Sequence, residues 1–237
     1  MKKSALVFGG SGEIGSAIAD VLSEEDFEVV IADIAKPPRE IKAHYVPADL
    51  TQEADVKRAI RYAQDNFGRI DVIINSQGVY QIARIENSET EDWDKIIDVN
   101  LKSVFLVCRE AVKLMKWQKT GYIINIASMA GLRGKAGESV YSASKFGVIG
   151  LTKVLFEELR NTGVKVSAVC PASVDTKLLR KEVELTEKER RKILKPEDVA
   201  WAVMNLLHLG KNENRIIVPL DIKIELNKLQ RKEERAK

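Results

Sequence analysis

The chain has 237 residues, 45% of them hydrophobic, which is enough to bury one large core. Its 38 basic and 35 acidic residues are mixed along the whole length and leave a formal charge of +3, a pattern of solvated helix faces rather than of a nucleic-acid surface. No apolar run approaches the roughly eighteen residues of a membrane span and no basic-then-apolar leader is present, so a cytoplasmic protein is expected, with no membrane or nucleic-acid partner and no metal site.

Residues 5–8 form a short apolar run of the kind that fills a strand buried on both faces. The run passes directly into Gly9, Gly10, Ser11, Gly12, Glu13, Ile14 and Gly15, where Gly10, Gly12 and Gly15 keep the spacing Gly-x-Gly-x-x-Gly. At that spacing the first glycine permits a tight turn, the second lets backbone amides approach a pyrophosphate, and the third lets the next helix pack on the sheet. The phosphates then rest on the helix N-terminus. A surface turn could carry the same glycines; the strand before them and the helical pattern of residues 16–22 after them favour a dinucleotide loop. Residues 27–32 are a second buried strand, followed by Asp33 and Ile34. An acidic residue there can bond a ribose 2′-hydroxyl and repel a 2′-phosphate, which favours NAD over NADP; it can equally serve only to end the strand.

Pro37 and Pro38 break any helix in residues 35–40, and residues 44–47 give a third strand leading to Asp49 and Leu50. Asp49 is placed either to contact an adenine or to cap the acidic helix of residues 53–66, which Gly68 closes. The fourth strand, residues 70–75, carries Asn75, Ser76, Gln77 and Gly78 at its carboxyl end, where ligands bind in parallel sheets. A long helix is expected over residues 90–117, with Asn100 interrupting its apolar stripe as either a hydrogen-bonded packing defect or a functional fixture.

The fifth strand, residues 122–127, ends at Ser128; Tyr141 comes thirteen residues later, and Lys145, four further on, opens a helix to residue 159. Positions i and i+4 share a helix face, so the ammonium can stand by the phenol and lower its pKa. Residues 164–170 are a sixth strand stopped by Pro171, and Asp175 and Thr176 lie on a ligand-side loop. Residues 177–195 read as a short charged lid, residues 199–209 as a helix, 215–219 as a seventh strand, 222–226 as a further apolar segment and 228–237 as a polar tail. Cys108 and Cys170, in separate apolar contexts, are expected as buried free thiols. Seven strands with intervening helices make residues 1–237 a single α/β domain, Rossmann-like and doubly wound, with a mostly parallel seven-stranded sheet and helices on both faces.

On these residues the chain resembles the short-chain dehydrogenase/reductase family over essentially its full length. Ser128 with Tyr141 and Lys145 in YSASK matches the family's catalytic pattern, and Asn100 in VNLKSVF its catalytic asparagine. Asp49 and Leu50 match the adenine-contacting pair, and PASVDT, residues 171–176, resembles the loop that carries the nicotinamide, with Thr176 at the carboxamide position. The resemblance implies a cofactor site made of Gly9, Gly10, Ser11, Gly12, Glu13, Ile14, Gly15, Asp33, Ile34, Asp49, Leu50, Asn75, Ser76, Gln77, Gly78, Tyr141, Lys145, Pro171, Ala172, Val174 and Thr176. It further implies reversible NAD-dependent oxidation of a secondary alcohol to a ketone. Tyr141 would act as acid and base, Ser128 would hold the substrate oxygen, Lys145 would tune the phenol and bond the ribose, and Asn100 would hold a relay water.

A small alcohol, a sugar or a 3-oxoacyl compound would suit the short lid. Arg84, Arg133 and Lys135 could meet an anionic substrate or simply lie on the surface. A non-catalytic NAD sensor or scaffold and a sugar-nucleotide epimerase are the alternative readings. Four departures from the family pattern stand out. Phe8 and Glu13 replace a threonine and a glycine, so that Gly9, Gly12 and Gly15 match the family's extended branch, and a Glu13 carboxylate near the phosphates is unfavourable unless it faces solvent. Gln77 places a long polar side chain beside the ribose, and Ala172 stands for a glycine. The chain end lacks Val-Asp-Gly-Gly, which favours a homodimer, through the helices of Asn100 and Lys145, over a tetramer.

Overall fold

The computed structural model describes residues 2–209 and 216–220. Apolar runs set seven strands: β1 (Ser4–Phe8), β2 (Glu28–Asp33), β3 (His44–Pro47), β4 (Val72–Asn75), β5 (Gly121–Ile126), β6 (Val164–Pro171) and β7 (Ile217–Leu220). Every pairing among them is parallel, in the order β3-β2-β1-β4-β5-β6-β7. The chain order reverses between β1 and β4, and a crevice opens at the carboxyl ends of those two strands. Register keeps those ends level: Phe8 pairs with Ala32 and Asn75, and Asn75 with Asn125. The edge strands β3 and β7 each contain a proline, Pro47 and Pro219.

The helices are α1 (Glu13–Glu24), α2 (Glu53–Phe67), α3 (Thr90–Ile97), α4 (Ser103–Gln118), α5 (Ser139–Glu158), α6 (Lys177–Glu182), α7 (Glu187–Arg190) and α8 (Pro196–His208). Alternate residues of β1 feed two cores. Leu6 and Phe8 face α2, α4 and α5 through Val56, Val107 and Val148, while Ala5 and Val7 face α1 and α8 through Ile18 and Val203. Burial on both faces is why the central strands read as unbroken apolar runs.

Several boundaries differ from those expected. The left-handed turn residue of the loop is Gly9, at φ 71°, not Gly10; a side chain at Gly9 would run into the Gln77 backbone, and one at Gly15 into the Gly9 carbonyl. The operative spacing is therefore Gly9, Gly12 and Gly15, and α1 begins at Glu13, earlier than residue 16. Helix α5 begins at Ser139 rather than Lys145, so Tyr141 and Lys145 share it. The expected helix over residues 90–117 is split by a π-helical turn, Asp98–Lys102, which widens the backbone around Asn100. Strand β4 starts at Val72, just after Asp71, whose carboxylate accepts from the Ser4 amide at 3.0 Å, and β7 starts at Ile217.

Residues 177–195 hold α6 and α7 and are anchored by Leu194, 1% exposed, whose backbone bridges Val174. The expected apolar segment 222–226 and polar tail 228–237 lie outside the described residues. Among the described residues no helix is long and apolar enough to cross a membrane, and no cluster of metal-ligating side chains is present.

Candidate active site

The site grows from the carboxyl edge of the sheet. Asn100, fully buried in the π-turn, accepts from the Val79 amide at 2.7 Å and donates to the Val79 carbonyl at 2.9 Å and to Ser144 Oγ at 3.1 Å. Ser144 Oγ in turn donates to the Tyr141 carbonyl at 2.7 Å. Asn100 thereby ties the strand that leaves β4 to the helix that carries Tyr141, with its oxygen and nitrogen both satisfied.

Lys145, 4% exposed, donates to the Ile126 carbonyl at 3.1 Å, and its Nζ stands 5.8 Å from the Tyr141 ring centroid. Burial lowers the Lys145 ammonium to about 8. Burial likewise pushes the Tyr141 phenol up to about 12, opposed by a hydrogen bond from Ser128 and reinforced by the Glu138 charge. The direction is opposite to the depression expected from the lysine: burial raises the phenol, and the ammonium is directed at the Ile126 carbonyl rather than at the phenol oxygen. The Ser128 hydroxyl also accepts from the Ala130 amide at 3.1 Å, which fixes its rotamer at the end of β5.

These groups open into a cleft of about 320 Å³ lined by Ile14, Ser128, Tyr141, Pro171, Thr176 and Leu178. Two wall residues were not singled out from the sequence. Tyr80 packs edge-on against Tyr141, with ring centroids 4.7 Å apart, and donates to the buried Glu138 carboxylate at 2.7 Å, which also pairs with Lys135 at 3.1 Å. Glu138 precedes Tyr141 by one helical turn, and that spacing was the available signal. Lys135 is thus engaged by Glu138, and Arg84 is exposed outside the cleft lining.

The proposed cofactor residues gather at the same edge. The Asp33 carboxylate accepts from the Ser11 amide at 3.0 Å and locks the glycine loop to the end of β2, while the neighbouring Ile34 is 75% exposed. Asp49 accepts from the Thr51 amide and hydroxyl at 2.9 and 2.7 Å in a local turn, and the cap position of α2 is Gln52 rather than Asp49. Leu50 is buried beside it. Thr176 caps α6 through the Leu179 amide at 3.3 Å, Ala172 donates its amide to Leu220, and Val174 is bridged to Leu194.

Two polar side chains of the departures from the family pattern find partners within the chain. Gln77 is buried, donating to Ser103 Oγ at 3.0 Å and to Asn75 Oδ1 at 3.3 Å, with Ser103 the first residue of α4 after the π-turn. Glu13, about a third exposed, is engaged by the lid: its carboxylate accepts from the Lys177 amide and pairs with Arg180 at 3.1 Å. Cys108 and Cys170 are buried free thiols, both pushed up to about 12 by burial.

The residues fit a dinucleotide. Gly12 has an ordinary φ of −68°, and a Cβ there would stand 3.5 Å from the nearest atom, so nothing within the chain requires glycine. A bare backbone at the positive end of α1 is what close approach of a phosphate requires.

The family model "short chain dehydrogenase" matches residues 3–187. An uncharacterized oxidoreductase of Staphylococcus aureus is 36% identical, covering 90% of this chain and 94% of its own. The D-beta-hydroxybutyrate dehydrogenase of Cupriavidus necator is 38% identical, covering 77% and 74%. Among solved structures, the aldohexose dehydrogenase of Thermoplasma acidophilum superposes with a TM-score of 0.85 at 30% identity, covering 93% and 92%. A 3-ketoacyl-(acyl-carrier-protein) reductase from Brucella melitensis, complexed with NADH, gives 0.84 at 28%, covering 92% and 96%. ElxO with NADP bound gives 0.86 at 27%, covering 93% and 98%.

Proposed function

The chain belongs to the short-chain dehydrogenase/reductase family of nicotinamide-dependent oxidoreductases, and from that premise we propose that it interconverts a secondary alcohol and a ketone with NAD as its cofactor. The observation that carries the reading is that Ser128 and Tyr141 line one cleft together with Ile14 of the glycine loop, with the buried Lys145 Nζ 5.8 Å from the Tyr141 ring. Bound there, the nicotinamide would supply a two-electron hydride acceptor or donor.

The residues of the chain then have distinct tasks. Ser128 holds the substrate oxygen and stabilises charge on it. Tyr141 carries the proton on its hydroxyl; raised to about 12, it is a phenol at neutral pH and can donate to a ketone oxygen as the reaction stands. Lys145 supplies positive charge near the phenolate formed by that transfer. Asn100 holds the two elements together. Gly9 to Gly15 would hold the phosphates, Asn75, Ser76 and Gly78 the ribose side, and Pro171 to Thr176 the nicotinamide.

Asp33 supports NAD over NADP, since a 2′-phosphate would approach its carboxylate. The cleft is lined by Tyr80, Arg133 and the Lys135–Glu138 pair, and the substrate proposed for it is a small alcohol, a sugar or a 3-oxoacyl compound. The named similar proteins, a hydroxybutyrate dehydrogenase, an aldohexose dehydrogenase and a ketoacyl reductase, cover the same range. A cytoplasmic homodimer completes the proposal.

Fluorescence titration with NADH and NADPH tests it. Tight NADH binding with weak NADPH binding is expected, and binding of neither would refute it. In the Tyr141→Phe variant, turnover of secondary alcohols should fall by roughly 10²–10⁴-fold while NADH binding persists; unchanged turnover would remove the assigned mechanism.

A further inference from the structure

Glu13 stands at the N-terminus of α1, where unpaired amides and the helix dipole favour an anion. Its carboxylate is turned across to the lid, where it accepts from the Lys177 amide and pairs with Arg180 Nη2 at 3.1 Å. The same guanidinium bonds Asp175 at 2.6 Å, and Arg190 approaches that carboxylate at 3.4 Å. Two carboxylates and two guanidiniums close a neutral cluster that joins the glycine loop to α6 and α7. All four side chains are only partly buried, a setting in which ion pairs are weak and exchange partners readily.

No packing requirement puts a carboxylate at this position: the Glu13 side chain is about a third exposed and its contacts are those of the cluster. A dinucleotide phosphate seated at the same helix end would meet a like charge. Resting on the nicotinamide-dependent reading, we propose that Glu13 is an internal competitor of the cofactor pyrophosphate, clasping the lid in the free protein and setting cofactor affinity, with Arg180 as the cation that offsets it. The cofactor must displace the influence of Glu13 to occupy the end of α1. Arg180 is a positioning residue in this scheme.

Neutralising each charge in turn makes the proposal testable with NADH as the probe. Glu13→Gln keeps the size and the hydrogen-bonding oxygen but removes the charge, and should bind NADH roughly fivefold more tightly than the wild type. Arg180→Gln leaves Glu13 unopposed and should bind NADH more weakly by a similar factor. The double variant, with both charges gone, should return near the wild-type affinity. In the cofactor-free protein, Glu13→Ala should speed hydrogen exchange at the Lys177 amide, which reads the clasp without cofactor or turnover.

Equal or weaker NADH binding by Glu13→Gln, or unchanged exchange at Lys177 in Glu13→Ala, would overturn the proposal and leave the nicotinamide reading standing. Binding by Glu13→Gln with none by the wild type would support it in its strongest form. If neither protein binds NADH or NADPH, the nicotinamide reading fails and this inference fails with it.

Discussion

Lys145 is the residue at which chemistry and stability pull apart. A buried ammonium with a single carbonyl partner is costly, and its pKa of about 8 against an ordinary 10.5 corresponds to a few kcal/mol, of order 3. The folded value lies below the unfolded one, so between about pH 8 and 10 the unfolded chain binds more protons at this site. Stability from Lys145 therefore rises with pH across that window. Thermal unfolding at pH 7 and pH 9.5 should show a Lys145→Met variant at least as stable as the wild type at pH 7, with that advantage shrinking at pH 9.5 and activity lost at both. A variant clearly less stable at pH 7 would mean that the ammonium is better solvated than its burial indicates. Spacing alone did not single out Tyr141 and Lys145, since a tyrosine and a lysine at i and i+4 are common by chance; the strand ending at Ser128, the glycine loop and the family pattern made them candidates. The pKa values were not legible in the sequence, since desolvation depends on everything packed around a group, including Tyr80 and Glu138 from separate segments.

At the scale of elements, apolar runs and glycine spacing marked every described strand, because strands buried on both faces leave little else to read. The π-turn was hidden. A polar residue in an apolar stripe signals an irregularity, but the extra residue that widens the turn becomes visible only where Asn100 meets Val79 and Ser144. Replacing Asn100 with Ala removes the partners of the Val79 amide and carbonyl together. Such a variant should lose roughly 2–5 kcal/mol in urea unfolding, from two backbone groups left unpaired. A loss below about 1 kcal/mol would show that water or a shifted backbone takes over those bonds. The lid was legible as a charged segment, but its attachment was not, since Glu13 and Lys177 lie 164 residues apart.

For the whole molecule, doubly wound topology followed from strand and helix alternation, and it brings residues from the ends of β1, β2, β4, β5 and β6 to one edge. An apolar strip remains on the outer side of α4 and α5, where Phe105, Phe146 and Val154 are 44%, 47% and 54% exposed. Leu101 of the π-turn before α4 packs closely against Gly147 of α5. Pairing two copies through this strip is the dimer expected from the sequence. Phe146→Glu should shift the protein to monomer on size-exclusion chromatography while leaving NADH binding intact; a wild-type monomer would discard the dimer.

The prolines of the two outer strands bear on what this molecule avoids. Residue 216 accepts a hydrogen bond from Ala168 of β6, residue 220 one from Ala172 just past it, and residue 48 donates to β2, so alternation turns the backbone nitrogens of Pro219 and Pro47 outward, toward the margins of the sheet formed by the described residues. An outward N–H is missing at each margin, and a foreign strand seeking to extend the ladder finds a gap on either side. Growth into a continuous cross-molecular sheet is discouraged even when heat loosens the helices, which leaves association to the helix faces.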